Sequence, residues 1–248
     1  MPKPEKRQRL DQRVWQEGFT ETLEHAQRLI MTGTILVDDR PMTKPGTLIA
    51  SSAKLRQKNK PIPWVSRGGL KLEHAIQHWS LSVRDRICLD VGAATGGFTQ
   101  VLLHHGARSV IAMDVGYGQL DWKVASDPRV QVKERFNIRD LKNEDIPGGI
   151  DIVVVDCSFI GLSMIIPPIL HVLKKPGSGI FLIKPQFELP AHQIASGGIV
   201  YQEEARQRAI TAVTQQCNAL GLEVHGVIPS PITGSQGNQE FLLYFSRL

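Results

Sequence analysis

From residue 86 onward, short apolar runs recur along the chain, each closed by a polar residue and separated from the next by a stretch whose hydrophobic positions have helical spacing. Ile87-Cys88-Leu89-Asp90-Val91, Ser109-Val110-Ile111-Ala112-Met113-Asp114 and Val130-Gln131-Val132-Lys133-Glu134 read as strands, as do residues 150–156 and 179–184. Residues 98–105, 162–173 and 203–220 read as helices between and after them. Such alternation marks a parallel sheet covered on both faces. A helix over 69–79 leads into the first strand, and segments 222–229 and 240–245 form a terminal β-pair, so the pattern predicts an α/β fold with a seven-stranded sheet.

The first part of the chain has a different rhythm. Arg9 to Trp15 opens helically, and residues 20–30 follow with apolar side chains at helical spacing, Thr20 as the expected N-cap and Leu23 as the first buried position. Gly33 stops that helix, and Thr34-Ile35-Leu36-Val37 runs into a hairpin turn at Asp38-Asp39-Arg40. The expected organisation is a small α+β domain over 1–60, a linker over 61–68 and a second domain over 69–248. Residues 51–63, with Lys54, Arg56, Lys58, Lys60 and two prolines, form the edge between them.

Charge changes the picture only through its distribution. The net charge is +5, yet residues 1–70 carry 13 Lys and Arg against 7 Asp and Glu, while the remainder is close to balanced. Such an excess suits a module that meets a polyanion, and equally a solvated surface with extra lysines. No run approaches the roughly 18 apolar residues of a membrane span, and the basic start has no apolar stretch of signal-peptide length behind it. Cys88, Cys157 and Cys217 are odd in number and widely spaced, which suits a reducing, cytoplasmic setting. The histidines show no metal-ligand spacing.

Two places carry candidate chemistry. The first strand ends in Gly92-Ala93-Ala94-Thr95-Gly96-Gly97 before a helix, the order a cofactor loop requires, because glycines let a ligand approach the backbone and a helix start offers free N–H groups. Asp114 closes the next strand, where an acid accepts ribose hydroxyls. By itself this is equally a turn closing a βα unit. Asp156 and Lys184 close the fourth and fifth strands, at the edge where open α/β sheets bind ligands. A lysine there is either neutralised by Asp156 as a structural ion pair or placed to react.

Asp90-Val91-Gly92-Ala93-Ala94-Thr95-Gly96-Gly97-Phe98-Thr99 resembles the S-adenosylmethionine loop of FtsJ-type RNA methyltransferases, and with Asp114-Val115-Gly116-Tyr117-Gly118-Gln119-Leu120 it is closer to their hemolysin A-like (TlyA) branch. That branch often has Ser-Thr where this chain has Ala94-Thr95. Residues 9–55, with Arg-Leu-Asp at the start, Arg28-Leu29-Ile30 at a helix end and Lys44-Pro45-Gly46 after the hairpin, resemble an S4 RNA-binding domain. The resemblance implies a Rossmann-like methyltransferase sheet behind an S4 domain, with S-adenosylmethionine as cofactor and no metal. Asp90, Gly92, Gly96, Gly97, Phe98, Asp114 and Asn137 are the implied cofactor residues, Asn137 at the adenine amino group. Arg9, Arg13, Arg28, Lys44 and Arg67 are the candidate RNA contacts.

The family's Lys-Asp-Lys-Glu tetrad falls on Lys71 in Ser66-Arg67-Gly68-Gly69-Leu70-Lys71, on Asp156, on Lys184 and on Glu240 in Gly237-Asn238-Gln239-Glu240. The implied activity is ribose 2′-O-methylation of ribosomal RNA, at cytidine, with ribosomal RNA or ribosomal subunits as partner. The reaction must align a poor nucleophile with an activated methyl group and remove its proton. Lys184 is the expected base, Lys71 the neighbour that lowers its proton affinity and holds the hydroxyl, and Asp156 and Glu240 the groups that orient the two amines. A non-catalytic RNA-binding factor on the same fold is the competing reading. Membrane lysis finds no support in the absence of a spanning segment or a long basic amphipathic helix.

Overall fold

The computed structural model describes residues 7–58, 62–195, 197–234 and 236–248; Lys60, at the end of the expected first domain, and Pro61, at the start of the expected linker, lie outside the described residues. The chain divides into two compact units, residues 1–61 and 62–248.

The first unit contains β1 (Arg7–Arg9), α1 (Leu10–Gln16), α2 (Leu23–Met31), β2 (Ile35–Val37), β3 (Arg40–Pro41), β4 (Leu48–Ala50) and β5 (Leu55–Gln57). β2 lies between β3 and β5, and β1 pairs with β4. The β2–β3 turn uses Asp38 and Asp39 at φ 49° and 62°, a left-handed pair that aspartate tolerates better than most residues. Leu10 and Val14 of α1 meet Ala26 and Ile30 of α2 over Ile35 and Ile49, the small core that holds the unit together. α2 begins two residues later than expected. Its cap is Thr22, whose hydroxyl accepts from the His25 N–H at 3.2 Å, and Leu23 is exposed while Ala26 and Ile30 are buried.

Two of the expected RNA contacts are built into this unit. The Arg13 guanidinium is buried; it donates to the carbonyls of Ala50 (2.9 Å) and Ala53 (3.1 Å) and pairs with Glu17, so it ties α1 to the segment after β4 rather than facing solvent. Arg9 is half-exposed, but its guanidinium is held by buried Asp11 at 2.6 and 3.0 Å, and this bond keeps the Asp11 carboxyl below its ordinary range despite burial. Arg28 and Lys44 are exposed, as expected of surface contacts.

The second unit runs α3 (Gly68–Trp79), β6 (Ile87–Val91), α4 (Gly97–His104), β7 (Ser109–Met113), α5 (Trp122–Ala125), β8 (Val130–Lys133), β9 (Ile150–Val155), α6 (Leu162–Val172), β10 (Leu173–Ile183), α7 (Pro185–Glu188), α8 (Glu203–Ala219), β11 (Glu223–Pro229) and β12 (Phe241–Arg247). Seven strands form one sheet in the order β11-β12-β10-β9-β6-β7-β8, with β12 antiparallel to both its neighbours. Alternation along each strand sorts side chains to two cores. Leu89, Val153 and Phe181 pack with α6 and α8 on one face, and Cys88, Ile152 and Ile180 pack with α3 and α4 on the other. Residues 62–67 belong to this unit rather than to a free linker: the Val65 N–H donates to Gln100 on α4 at 2.6 Å, and Trp64 packs against the second core. His104 meets Trp64 edge-on and His105 lies 2.9 Å from Glu73, so both join this packing.

Arg13→Met keeps the aliphatic stem but leaves two buried carbonyls without their donor. It should destabilise the first unit by about 2–3 kcal/mol, read as lost amide-exchange protection within residues 7–58 while protection in the sheet of the second unit is unchanged.

Candidate active site

Strand register brings the site together. β6 and β9 are parallel neighbours with Val91 opposite Val155, and the Asp156 N–H donates to the Val91 carbonyl at 3.0 Å, so the glycine loop and Asp156 leave the sheet side by side. The connections from β6 run toward β7 and β8, those from β9 toward β10, and the crevice between them opens at this edge. On the other side of β9, Ile183 of β10 faces Phe241 of antiparallel β12, which sets Lys184, one residue past a strand end, level with Glu240, one residue before a strand start. The fourth group comes from a helix. Lys71 lies in the first turn of α3, whose start presses close to that of α4: a Cβ on Gly97 would stand 2.8 Å from the Gly69 amide nitrogen and collide with the Ser66 hydroxyl.

The four side chains make one continuous chain of charges. Glu240 Oε2 is 2.7 Å from Lys71 Nζ, Lys71 Nζ is 3.4 Å from Asp156 Oδ2, and Asp156 Oδ1 is 2.6 Å from Lys184 Nζ. Lys184 also donates to the Ser158 hydroxyl at 2.8 Å. Lys71, Lys184 and Glu240 are buried, and the Asp156 side chain is 19% exposed. The cluster lines a cavity of about 510 Å³, walled also by Phe98, Gln186, Phe187 and the segment Ile232–Gly234. Arg67 lies on the same wall and donates to the Thr233 carbonyl at 3.0 Å, which places this candidate RNA contact at the cavity rim.

A second cavity of about 500 Å³ adjoins the first, and the two share Gly92, Ala94, Asp156, Ser158 and Phe159. Its wall includes Asp114, Gln119, Phe136, Asn137 and Ile160. Asp114 accepts the N–H groups of Ala94 (2.9 Å) and Gly116 (2.7 Å), so its carboxylate is fixed between the glycine loop and the next turn. The backbone of Ala94 makes that contact, which makes the missing serine hydroxyl immaterial to it. Asn137 caps a short helical turn by accepting from the Arg139 N–H at 3.1 Å, and its amide remains on the cavity wall. Gly92 has φ 81°, and a Cβ there would lie 2.7 Å from the Asp156 carbonyl; only glycine lets β6 and β9 part this closely.

Not every expected cofactor residue reaches this space. Asp90 is wholly buried beneath the loop, where Oδ2 accepts from the Thr99 hydroxyl at 2.6 Å, and it lines neither cavity. Burial pushes its carboxyl up to about 7, with the Asp156 charge adding to this and the Thr99 bond opposing it. Gly96 faces Leu120 and Val124 and serves the turn at φ 92°, whereas Gly97 and Phe98 line the tetrad cavity. Cys157 lies on the wall of the second cavity with its thiol pushed up to about 12 by burial. Ser158 and Phe159 were missed by sequence reasoning; their signal was position, just past the acid that ends the fourth strand. Phe159 is 88% exposed with a left-handed backbone at φ 65°. Among the described residues no group of His, Cys, Asp and Glu is placed to hold a metal ion, and no helix is long and apolar enough to cross a membrane.

Comparison with known proteins gives this arrangement a family. The FtsJ-like methyltransferase model matches residues 64–247, and the S4 domain model matches residues 8–54. The chain belongs to the FtsJ-like methyltransferase family. It is 40% identical over 240 residues to the 16S/23S rRNA (cytidine-2′-O)-methyltransferase TlyA of Mycobacterium tuberculosis, a match spanning 96% of this chain and 90% of that one. It is 37% identical over 241 residues to hemolysin A of Brachyspira hyodysenteriae, covering 96% of this chain and 99% of the relative. A solved structure of a protein described as a hemolysin from Streptococcus thermophilus superposes with a TM-score of 0.76 at 38% identity, over 97% of this chain and 88% of the other. The likeness to the TlyA branch thus runs through both units, and the family's cofactor is S-adenosylmethionine. The second cavity fits it: a fixed carboxylate at Asp114, a polar amide at Asn137 and a side-chain-free approach along the glycine loop are what a nucleoside with an amino-acid tail needs.

Asp114→Ala should weaken S-adenosylmethionine binding in calorimetry by about tenfold to a hundredfold, the scale of a lost charged acceptor. Asp90 gives a pH signature. Because its folded carboxyl titrates near 7 rather than 3.8, folding favours the protonated form, and that stabilisation is complete below about 4 and lost as pH rises through about 7. Asp90→Asn cannot ionise and keeps an acceptor for Thr99. Its melting temperature should therefore gain on the unaltered protein from pH 5 to pH 7 and hold that gain above, a divergence of about 1.4 kcal/mol per pH unit at most.

Proposed function

We propose that this protein transfers a methyl group to the ribose 2′-hydroxyl of cytidine in ribosomal RNA, with Lys184 as the general base. The observation that carries the proposal is the single chain of charges Glu240–Lys71–Asp156–Lys184, lining a cavity that opens directly onto the nucleoside cavity beneath the glycine loop. The RNA reading rests on the S4 segment at 8–54 and its exposed Arg28 and Lys44, and on relatives named for ribosomal RNA.

S-adenosylmethionine supplies an activated methyl group on a sulfonium that leaves as a neutral thioether. The protein's share is orientation and proton removal. Lys71, held by Glu240 on one side and Asp156 on the other, has a fixed position from which to donate to the ribose oxygen. Lys184, a cation in the resting chain of charges, gives its proton to solvent and as the neutral amine takes the hydroxyl proton, after which the oxygen pair is free to attack. Asp156 fixes both amines because its two oxygens face different lysines. Ordering reactants in this way is worth several of the roughly 7–11 kcal/mol that oriented reactants recover.

Single-turnover methylation of ribosomal subunits from cells lacking this protein tests the proposal. Lys184→Ala should abolish transfer while leaving cofactor and RNA binding nearly intact, and Lys184→Arg should fail too, because arginine keeps the charge but stays protonated. If Lys184 only neutralises Asp156, the arginine variant should retain activity and the alanine variant should melt lower, its buried carboxylate having lost a partner.

A further inference from the structure

Ser158 stands outside the four charged residues, yet it holds the one proposed to take the proton. Lys184 Nζ has two protein oxygens within bonding distance among the described residues: Asp156 Oδ1 at 2.6 Å and the Ser158 hydroxyl at 2.8 Å. Both come from the same turn after β9, and Ser158 lines both cavities. The turn is anchored at its far end, where Glu188 accepts the Leu162 N–H at 3.0 Å, and it passes through Phe159 at φ 65°, a conformation that a phenylalanine holds only when its surroundings fix it. The hydroxyl therefore sits in a defined place relative to the strand ends.

We propose that Ser158 is a positioning residue for Lys184, and that its hydroxyl sets the direction in which the amine presents its lone pair. The inference rests on the reading of Lys184 as base. A neutral amine has two N–H bonds and one lone pair, in tetrahedral directions around nitrogen together with its carbon. The Ser158 hydroxyl accepts one N–H at 2.8 Å and the Asp156 carboxylate stands 2.6 Å from the nitrogen as its ion-pair partner, which leaves the lone pair the direction of the cavity that Lys184 lines. The lone pair there takes the ribose proton as the O–H bond breaks. The pair left on oxygen forms the new C–O bond, the S–CH₃ pair returns to sulfur, and the resulting ammonium later gives its proton to water. Without Ser158 one N–H has no fixed acceptor, the amine turns about its Cε–Nζ bond, and the lone pair spends less time on line.

Steady-state methylation of ribosomal subunits lacking the modification tests this with Ser158→Ala and Ser158→Thr. Ser158→Ala should lower kcat by about tenfold to a hundredfold with KM for both substrates within twofold and an unchanged melting temperature, and Ser158→Thr, which restores the hydroxyl, should recover most of kcat. A raised KM with kcat preserved overturns the proposal, because the serine would then be touching substrate rather than the lysine. Full activity of Ser158→Ala, or a threonine variant no better than alanine despite an unchanged melt, overturns it as well. Failure of the underlying reading looks different: a fully active Lys184→Arg removes the base itself, whatever the serine variants do.

Discussion

Two cations and two anions, nearly out of water, must cancel one another before anything else at this site is possible. In the chain Glu240–Lys71–Asp156–Lys184 no charge has the solvent it would need on its own, and each is tolerated because its neighbours along the chain are opposite in sign. Removing one member exposes the rest to an unpaid desolvation cost of several kcal/mol. The same neutrality makes the site useful. Two amines are held at fixed places in a low-dielectric pocket with no net charge to draw in water or ions, and a proton can move within it without a large change in field.

Backbone geometry delivers these charges, and little of it is specific to charge. Three come from residues adjoining strand ends whose register is set by apolar pairs, Val91 with Val155 and Ile183 with Phe241, so hydrophobic alternation in the sheet decides where the charged atoms lie. The fourth depends on two helix starts coming closer than a side chain allows, which is why the position against the Gly69 amide and the Ser66 hydroxyl is a glycine, Gly97. Packing of both cores against the sheet thus fixes where the charged residues at its edge are placed.

How much of this could be read from the chain depended on the range of the interaction. All seven strands of the sheet showed in the sequence because each carries a short apolar or alternating run, and Asp156 and Lys184 stood out because a polar residue ending such a run is conspicuous. Lys71 and Glu240 carry no such mark; an amphipathic helix with one lysine and a polar loop with one glutamate are ordinary, and only the resemblance picked them out. The three-residue strands β1, β4 and β5 are too short for a periodic signal. That Arg13 and Asp90 turn inward was illegible for a related reason. Whether a charged residue faces water depends on tertiary partners, here the Ala50 and Ala53 carbonyls and the Thr99 hydroxyl, which lie 37, 40 and 9 residues away. Thr22 replaced Thr20 as cap because two threonines at neighbouring positions offer nearly the same cap chemistry, and packing of Ala26 and Ile30 chose the register.

The place of β12 in the sheet has a consequence for the order in which the molecule becomes competent. β12 follows β11 in the chain but lies between β11 and β10. During synthesis β6 to β10 meet their neighbours as they emerge, whereas β11 has no edge to join until residues 241–247 exist. The last two strands therefore enter as a unit, by a non-local pairing of β12 with β10. Glu240 arrives in that same step, and until then Lys71 waits with Asp156 alone. Closing the sheet and completing the set of charges are one event, so a nascent chain has no stage at which it is folded through β11 but chemically incomplete.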